Sequence, residues 1–462
     1  MNKKHLRQCV EEVWKASELR FKETLSCKAL TDFLKAEGFA VEVGVGNIAT
    51  AFTASIGSGR PHIGLLAEYD ALSGLSQKQD CMQQSPREET DCGHGCGHHL
   101  LGGAVVEAAC LIKELLPEGK GTITVFGCPG EEGGSGKAFM AREGIFDDLD
   151  CALTWHPSSI NAIGTGSSQA NVQAYFHFHG VASHAAGSPH LGRSALDAVE
   201  LMNVAVNYLR EHMEDTDRVH YAVVNTGGKS PNVVQAEASV LYLVRSTTAA
   251  KAKRLYERVI NCAKGAALMT DTTLDIEFDK ACSNTIPNET LETVLYEAML
   301  KCPLPEYTEE EKAYAAGFKA TVPEETLRLS IPKSIQHDRN LVMKYLNDPL
   351  CSWVTPYVFS AEPTMGSTDV SDVSWVVPTA QINAACYCMG TPGHSWQLTA
   401  QGLSEVAFKG MDYTAEVLKE AVMKLLENPQ LIEKAKAEHE ELREGKPYEC
   451  PIPAGVQPRT NY

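Results

Sequence analysis

The stretch Pro61–Leu72, PHIGLLAEYDAL, is an apolar run of strand length that ends abruptly in charged residues. The same pattern recurs at residues 121–134, GTITVFGCPGEEGG, and at residues 151–158, CALTWHPS. Between the first two runs lies HLLGGAVVEAACLIKELL, residues 99–116, in which apolar residues recur with a helical period. Strands that alternate with helices predict an α/β fold with a mostly parallel sheet, because parallel neighbours need a crossover connection.

Polar side chains stand at the end of each predicted strand. Asp70 follows the first strand, Glu131 and Glu132 follow the second, and His156 closes the third. Ligands of open α/β sheets bind beyond the carboxyl ends of the strands. The sequence therefore predicts that these side chains converge on one polar site.

Residues 168–285 have a different order of elements. Strand-like and helical segments follow one another as βαββαβ, which is the ferredoxin-like α+β arrangement. We interpret this segment as an inserted domain, and we assign residues 1–167 and 286–462 to the α/β domain. Residues 303–356 are acidic and partly helical and are left unassigned, whereas residues 366–399 bring a further apolar strand pattern.

The composition indicates an ordinary globular protein and excludes some partners. A formal charge of −18 would repel a phosphate backbone, so we expect no nucleic-acid partner. Acidic residues interrupt the N-terminal MNKKHLRQCVEEVWKAS, and no apolar run is long enough to span a bilayer, so we expect a cytoplasmic protein without membrane contact. The fifteen cysteines are scattered and odd in number, and we expect most to be reduced thiols.

The segment Asp91–Leu101, DCGHGCGHHLL, has cysteine or histidine at every second position from Cys92 to His98. An extended backbone would project these side chains to one side. A closed structural zinc site is one interpretation, although the separated C-x2-C pairs of zinc fingers are absent. A disulfide, or a nucleophilic Cys96 with His98 as its base, is a second, although the surrounding sequence matches no known nucleophile motif. The third is a partial metal-ligand set that residues from other strand ends complete.

The adjacent Glu131 and Glu132 favour the third interpretation. As a phosphate loop, GCPGEEGGSGK fails, because Glu131 occupies a required glycine position and Ala138 follows Lys137 where Ser or Thr should stand. Two adjacent carboxylates can instead have different roles. One can ligate a metal ion while the other takes a proton from metal-bound water. A solvated acidic turn is the alternative for an isolated pair, but this pair follows a buried strand.

Six motifs, in this order, resemble the amidohydrolase branch of the two-metal aminoacylase and carboxypeptidase family: GLLAEYDAL, GHGCGHHLLGGA, GCPGEEGGSGKA, TWHPS, HGVASHAAGSPHLGRSALDAVELMN and GTPGHS. The resemblance spans nearly the whole chain. It implies a metal-dependent hydrolase that cleaves the amide between an acyl or aroyl group and an amino acid, on substrates like p-aminobenzoyl-glutamate. Two alternatives stay open: a dipeptidase for small or unusual dipeptides, and a non-catalytic partner subunit of a hetero-oligomeric hydrolase.

The resemblance also implies a centre of two divalent metal ions, manganese or zinc. The matching ligands are Cys96, His98, Glu132, His156 and His394. In the resemblance, Cys96 matches the bridging ligand, and a thiol between two cations would be deprotonated outright. Glu131 would be the general base that takes the proton of the attacking water.

Three residues near these ligands match positions that support the ligands in the resembled family. His94 matches an orienting position, and Glu68 and Asp70 match acids that support the ligating histidines. The chain departs from the pattern at His99, where the family has Asn or Asp. Two interpretations of this extra imidazole stay open: it contacts residues farther from the metal ions, or it alters which metal the site prefers.

For the inserted segment, the resemblance implies a lid and dimerisation domain. His184 matches a histidine that reaches across a dimer to stabilise the tetrahedral oxyanion, and Asn232 and Arg245 match positions that hold the substrate carboxylate. The implied partners are a small N-acyl amino acid or dipeptide and a second copy of the chain or a homologous subunit. Lys229 and Arg193 are candidates for a further carboxylate of the substrate.

Overall fold

A computed structural model describes residues 1–460. The strands are β1 (Ala40–Val43), β2 (Phe52–Ser58), β3 (His62–Ala67), β4 (Gly121–Gly127), β5 (Cys151–Ser158), β6 (Ala162–Ile163), β7 (Ala170–His179), β8 (Arg218–Asn225), β9 (Glu237–Ser246), β10 (Thr273–Cys282) and β11 (Thr379–Ala385). The α-helices are α1 (Lys3–Ala16), α2 (Thr24–Ala36), α3 (His98–Leu115), α4 (Glu131–Gly134), α5 (Gly136–Arg142), α6 (Ala195–Leu209), α7 (Ala249–Thr270), α8 (Glu289–Lys301), α9 (Glu309–Lys319), α10 (Glu324–Leu329), α11 (Arg339–Asn347), α12 (Val370–Val376), α13 (Trp396–Gln401), α14 (Glu405–Glu427) and α15 (Pro429–Leu442).

The larger sheet has seven strands in the order β1-β2-β4-β3-β5-β11-β6. Its four central strands, β4, β3, β5 and β11, run parallel, and the strands at both edges are antiparallel. Leu65 of β3 stands opposite Val125 of β4 and Leu153 of β5, so the carboxyl ends of all three strands point the same way. The predicted fold class, a mixed and mostly parallel α/β sheet, is confirmed.

Helix α3 is the central helix on this sheet. Most of its side chains are buried, from His98 to Ile112, because it packs between the sheet and the helices α1 and α14. The indole of Trp155, in β5, donates a hydrogen bond to the carbonyl of Leu101 at 3.0 Å. This packing ties the first turn of α3 to the end of β5, which is where the candidate site lies.

The second sheet has four antiparallel strands in the order β10-β7-β9-β8. With α6 and α7 on one face, its chain order is the predicted βαββαβ. Its core is separate from that of the larger sheet, and it includes Phe176, Met202, Val240, Tyr242 and Val259. The ferredoxin-like part of the fold prediction is confirmed, and the exact domain boundaries at residues 168 and 285 stay predictions.

Some elements differ from the pattern-based expectation. Strands β1 and β2 were not predicted, because β1 is short and mostly exposed and therefore shows no clean alternation. Residues 366–399, for which an apolar strand pattern was predicted, contain α12 and the start of α13, and only Thr379–Ala385 forms a strand. The unassigned residues 303–356 form α9, α10 and α11, which pack around Tyr345 and Phe318. Across residues 1–460, no helix is long and apolar enough to cross a membrane.

Candidate metal centre

The carboxyl ends of three neighbouring strands supply most of the site. Glu68 and Asp70 follow β3, Glu131 begins the short helix α4 after β4, and His156 lies in β5. The parallel register of β4, β3 and β5 brings these ends to one edge of the sheet. The convergence that the sequence predicted is thus a consequence of strand order.

The turn before α3 requires a glycine. Gly97 has a φ of +81°, and a Cβ placed on it would lie 2.2 Å from the hydroxyl oxygen of Tyr387. A residue with a side chain would be strained there and would also clash. Gly97 therefore sets the angle between Cys96, in the loop, and His98, at the start of the helix.

His394 reaches the same edge from a later loop. Its backbone N–H donates to the carbonyl of Gly95 at 2.9 Å, and its φ of 51° is unusual for a non-glycine residue. Such strained residues persist only where the surrounding structure holds them, and they cluster at functional sites. Through this hydrogen bond, the His394 loop is attached directly to the Cys96 turn.

The predicted ligands form two groups that share one residue. Cys96, His98 and His156 have ligand atoms within 4.8 Å of one another, and so do Cys96, Glu132 and His394. The Sγ of Cys96 is 3.3 Å from Nε2 of His156, and Oε1 of Glu132 is 3.2 Å from Nε2 of His394. A third group, formed by Glu68, His98 and Glu131, adjoins the first.

These separations fit metal coordination. Two ligand atoms that each lie about 2.0–2.3 Å from one metal ion, at a tetrahedral or octahedral angle, are roughly 2.8–3.6 Å apart. Nε2 of His98, Oε2 of Glu68 and Oε1 of Glu132 are buried and have no hydrogen-bond partner among the described residues. Buried polar atoms without partners are costly, and a bound cation would satisfy all three of these atoms.

Hydrogen bonds determine which nitrogen of His98 and of His156 faces the space between the candidate ligand atoms. Nδ1 of His156 lies 2.9 Å from the carbonyl oxygen of Pro157, and Nδ1 of His98 lies 2.8 Å from Oδ1 of Asp70. These oxygens only accept, so both Nδ1 atoms carry a proton, and both Nε2 atoms are left as the ligand nitrogens. The other oxygen of Asp70 accepts the backbone N–H of Glu132 at 2.9 Å, which links the His98 and Glu132 ligands.

The pKa values of several acidic groups at the site are shifted when only the charges of the protein act on them. Burial, followed by the carboxylates of Glu68, Glu132 and Asp369, raises the pKa of Glu131 well above its ordinary value. Burial opposes ionisation of Glu132 as well, but the contact with His394 and the charge of His98 outweigh it and lower the pKa of Glu132 to about 2. Burial also raises the pKa of the Cys96 thiol. A bound cation would favour the ionised form of each of these groups.

Two histidines of the DCGHGCGHHLL segment face away from the ligand groups. Nε2 of His94 is 3.0 Å from the carbonyl oxygen of Val13, and Nε2 of His99 is 2.8 Å from that of Gly402. Both rings are buried, with their centroids 4.8 Å apart. His99 therefore contacts the surrounding helices, and its contacts support the distant role over an altered metal preference.

The residues predicted from the second sheet lie outside the three ligand groups. His184 and Asn232 are exposed and adjacent, because the backbone N–H of Ala185 donates to the carbonyl of Asn232 at 3.0 Å. Arg245, in β9, is half-buried, and its Nη1 donates to the hydroxyl of Ser367 at 3.3 Å. Ser367 lies two residues before Asp369, so Arg245 approaches the side of the candidate site.

Sequence reasoning missed two members of the site, Lys137 and Asp369. The Nζ of Lys137 lies 2.6 Å from Oε1 of Glu68 and 2.7 Å from Oδ1 of Asp369. All three side chains are buried. In the sequence, Lys137 stands in a segment that fails as a phosphate loop, and a lysine buried on a short helix has no periodic signal that would reveal it.

Comparison with known proteins identifies the class. The model of Peptidase family M20/M25/M40 matches residues 64–457. The chain belongs to this family, and it is a hydrolase that acts on amide bonds.

Three relatives illustrate the match. The chain is 45% identical to one of the subunits of the p-aminobenzoyl-glutamate hydrolase of Escherichia coli, over 97% of this chain and 94% of that protein. It is 29% identical to the Xaa-Arg dipeptidase of Mus musculus, over 92% of this chain and 86% of that protein. A dinuclear metal-binding peptidase of family M20 from Bacillus subtilis shares the fold at a TM-score of 0.53 and 15% identity, over 90% of this chain and 98% of that one.

Proposed function

We propose that this chain is a two-metal hydrolase that cleaves an acyl or aroyl group from an amino acid. The observation that carries the proposal is the position of Cys96, which belongs to both ligand groups. One thiolate shared by two sets of ligands is the arrangement that a pair of neighbouring cations needs. The ligands would be Cys96, His98, Glu132, His156 and His394.

Each group near the metal ions would have a separate task. Bound divalent ions supply Lewis acidity, which polarises a carbonyl and lowers the pKa of water. Glu131 stands beside the ligand Glu132 and would take the proton of the attacking water and pass it to the leaving amine. Asp70 and Lys137 would hold His98 and the carboxylates in place.

The substrate side of the proposal depends on the relatives and on the second sheet. The 45% identity to the Escherichia coli hydrolase subunit favours p-aminobenzoyl-glutamate or a related aroyl amino acid. Asn232 and Arg245 would bind the substrate carboxylate, because a guanidinium can contact both of its oxygens. The 29% identity to an Xaa-Arg dipeptidase makes a dipeptide the second candidate substrate.

The donor set favours zinc over manganese as the metal. A thiolate and three imidazoles are ligands that suit zinc, whereas manganese prefers carboxylate and water oxygens. Manganese stays the alternative, because the metal that a protein binds in a cell depends on the availability of each metal as well as on its affinity.

A homodimer is the proposed assembly. Strand β8 is an edge of the second sheet, and apolar side chains on it and on the adjoining α6 are exposed, among them Val204, Tyr208, Tyr221, Val223 and Val224. An unpaired edge strand beside apolar surface is a ready interface for a second strand. A homologous subunit could occupy the same edge, since the Escherichia coli relative is itself named as a subunit. A cytoplasmic location stays a prediction.

The test combines metal analysis with catalysis. We expect about two zinc or manganese ions per chain, hydrolysis of p-aminobenzoyl-glutamate, and loss of that hydrolysis with a chelator. A protein that binds two ions but does not hydrolyse p-aminobenzoyl-glutamate would rule out this substrate, and dipeptides would be tested next. Activity that appears only when a homologous subunit is added would favour the partner-subunit alternative.

Replacing Glu131 tests the general base. We expect Glu131→Ala to lower kcat by at least about 100-fold while the metal content stays at that of the wild type. Glu118→Ala, which changes an exposed acid far from the site, is the control and should leave both unchanged. Near-normal turnover in Glu131→Ala would rule out this role.

A further inference from the structure

Two arginines stand directly opposite each other on the second sheet. Arg218 begins β8, Arg245 lies near the end of β9, and the two are partners in the register of this antiparallel pair. Their side chains point away from α6 and α7, because the neighbouring pair Val219 and Val244 lies in the core under these helices. Like charges at facing positions of two strands destabilise the pair. A negative charge close to both arginines would remove this penalty.

No carboxylate within residues 1–460 forms an ion pair with Arg218. Its Nη1 donates to the backbone carbonyls of Asp215 and Asp217, at 2.6 Å each. The carboxylate of Asp217 instead accepts the hydroxyl of Ser246 at 2.6 Å and the backbone N–H of Glu214 at 3.1 Å. The exposed guanidinium of Arg218 is thus anchored through one nitrogen and keeps other N–H groups free for an anion.

Arg245 likewise has no ion pair in the described part of the chain. It is half-buried, its Nη1 donates to the hydroxyl of Ser367 at 3.3 Å, and its Nε is buried there without a hydrogen-bond partner. A buried donor without an acceptor is costly. Burial lowers the pKa of His220, and three neighbouring positive charges lower it further, those of Arg245, Arg210 and Arg218. The arginines therefore create a local positive field in a chain whose formal charge is −18.

Arg245 connects this positive field to the candidate metal centre. Ser367, which accepts its hydrogen bond, lies two residues before Asp369. Asp369 contacts the ammonium of Lys137 at 2.7 Å, and this ammonium contacts Glu68 at 2.6 Å, beside the ligand groups. An anion held by the two facing arginines would lie next to the loop that leads into this centre.

Arg193 and Lys229, the candidates from the sequence for a further carboxylate, are less suitable. Nε of Arg193 donates to Asp271 at 2.7 Å, so its charge is already paired. Lys229 lies in the turn between β8 and β9, at the opposite end of these strands from Arg245 in the same chain. Arg218 is unpaired and lies beside Arg245, so its position fits the task better.

We propose that Arg218 binds a second carboxylate of the substrate, beside the one that Arg245 holds, so that the chain selects amino acids with an acidic side chain. The inference rests on the proposed function and names its substrate class. Facing side chains of two strands have Cβ atoms about 4.5–5.5 Å apart. The two carboxylates of glutamate, which the α-carbon and two methylene groups separate, have a similar spacing. A dipeptide that ends in arginine would bring a further positive charge to the same place and would be rejected.

The experiment compares two substrates that differ in one group. p-Aminobenzoyl-glutamate has a side-chain carboxylate, and p-aminobenzoyl-glutamine has an uncharged amide of similar shape in its place. The value of kcat/KM for each is measured with the metal-loaded wild type, Arg218→Gln and Arg254→Gln. Arg254, an exposed arginine of α7 on the other face of the sheet, is the matched control. Thermal melting checks that each variant is folded.

The wild type and Arg254→Gln should prefer the glutamate substrate by about 10- to 100-fold, because a charge-assisted hydrogen bond to the second carboxylate is made only with that substrate. In Arg218→Gln, the two kcat/KM values should lie within about threefold of each other. Arg218→Lys, which retains the charge but cannot contact both oxygens in the same way, should keep part of the preference. A wild type without this preference, or an unchanged preference in Arg218→Gln, would overturn the proposal.

Binding measurements separate this inference from the proposed function. A wild type that hydrolyses neither substrate would contradict the proposed function. Calorimetry with free glutamate and free glutamine needs no turnover, and glutamate should bind the metal-loaded wild type at least about 10-fold more tightly than glutamine. This difference should disappear in Arg218→Gln. Equal binding of the two amino acids to the wild type would overturn the selection of an acidic side chain, even in a chain that hydrolyses amides.

Discussion

His184 is held in one tautomer although its side chain is exposed. Its Nδ1 accepts the backbone N–H groups of Ala186 at 3.2 Å and Gly187 at 3.0 Å. An Nδ1 that accepts leaves the proton on Nε2, so the ring presents a hydrogen-bond donor to its surroundings. A donor that is oriented in advance is what the stabilisation of an oxyanion requires.

His184→Ala should therefore impair catalysis without affecting the metal centre. We expect kcat to fall by about 10²- to 10³-fold, because one donor to the developing oxyanion is lost. The measurement is steady-state kinetics together with metal content. His190→Ala, at another exposed histidine of the same segment, is the matched control. Equal kinetics in the two variants would contradict the oxyanion role.

At the scale of elements, helix α8 carries a buried acid that disfavours the folded state at alkaline pH. Glu292 is 2% exposed, and burial raises its pKa from an ordinary 4.5 to about 7, even though the hydroxyl of Tyr357 donates to it at 2.9 Å. Between these pH values, the folded chain keeps a proton at Glu292 that the unfolded chain releases. This contribution to stability is complete below about pH 4.5 and is lost as the pH rises through 7.

Glu292→Gln should remove this dependence. We expect the variant and the wild type to have similar free energies of unfolding at pH 5, and the variant to be more stable by roughly 1–3 kcal/mol at pH 8. Urea unfolding at both pH values measures the difference. Other buried acids, such as Glu107 and Asp372, titrate in both proteins, so the comparison isolates Glu292. A stability difference that does not change with pH would show that Glu292 is not protonated in the folded chain.

At the scale of the whole molecule, a buried ion pair joins the second sheet to the candidate site. The guanidinium of Arg20, between α1 and α2, contacts both carboxylate oxygens of Asp279 in β10, at 3.1 and 3.2 Å. Arg20 also donates to the carbonyl of Gly133, and Lys280 donates to that of Glu132 at 3.0 Å. The position of β10 is thereby coupled to the turn that carries Glu131 and Glu132.

Breaking this pair should destabilise the protein strongly. We expect Asp279→Asn to lower the free energy of unfolding by about 3–5 kcal/mol, because it removes the negative charge that faces the buried guanidinium of Arg20. Urea unfolding measures the loss. Asp271→Asn, which breaks the exposed pair with Arg193 at 2.7 Å, should cost far less. Comparable losses in the two variants would show that burial adds nothing to the Arg20–Asp279 pair.

The sequence by itself determined the fold class and the order of most elements. Apolar runs of strand length and helical periods are local properties, and they were sufficient for β3, β4, β5 and the βαββαβ segment. The motifs around Cys96, Glu131 and His394 also indicated a metal hydrolase, because together and in this order they resemble the motifs of a known family.

Only the tertiary structure decided which atoms face one another. Lys137 and Asp369 are 232 positions apart along the chain, yet their charged atoms meet within hydrogen-bonding distance, and Glu68 joins them from a third element. The tautomer of His98 likewise depends on Asp70, which a parallel strand brings beside it. Contacts of this kind arise from strand order and helix packing, which no local pattern encodes. For that reason the sequence pointed to the candidate metal centre, and only the fold brings Glu68, Lys137 and Asp369 together beside it.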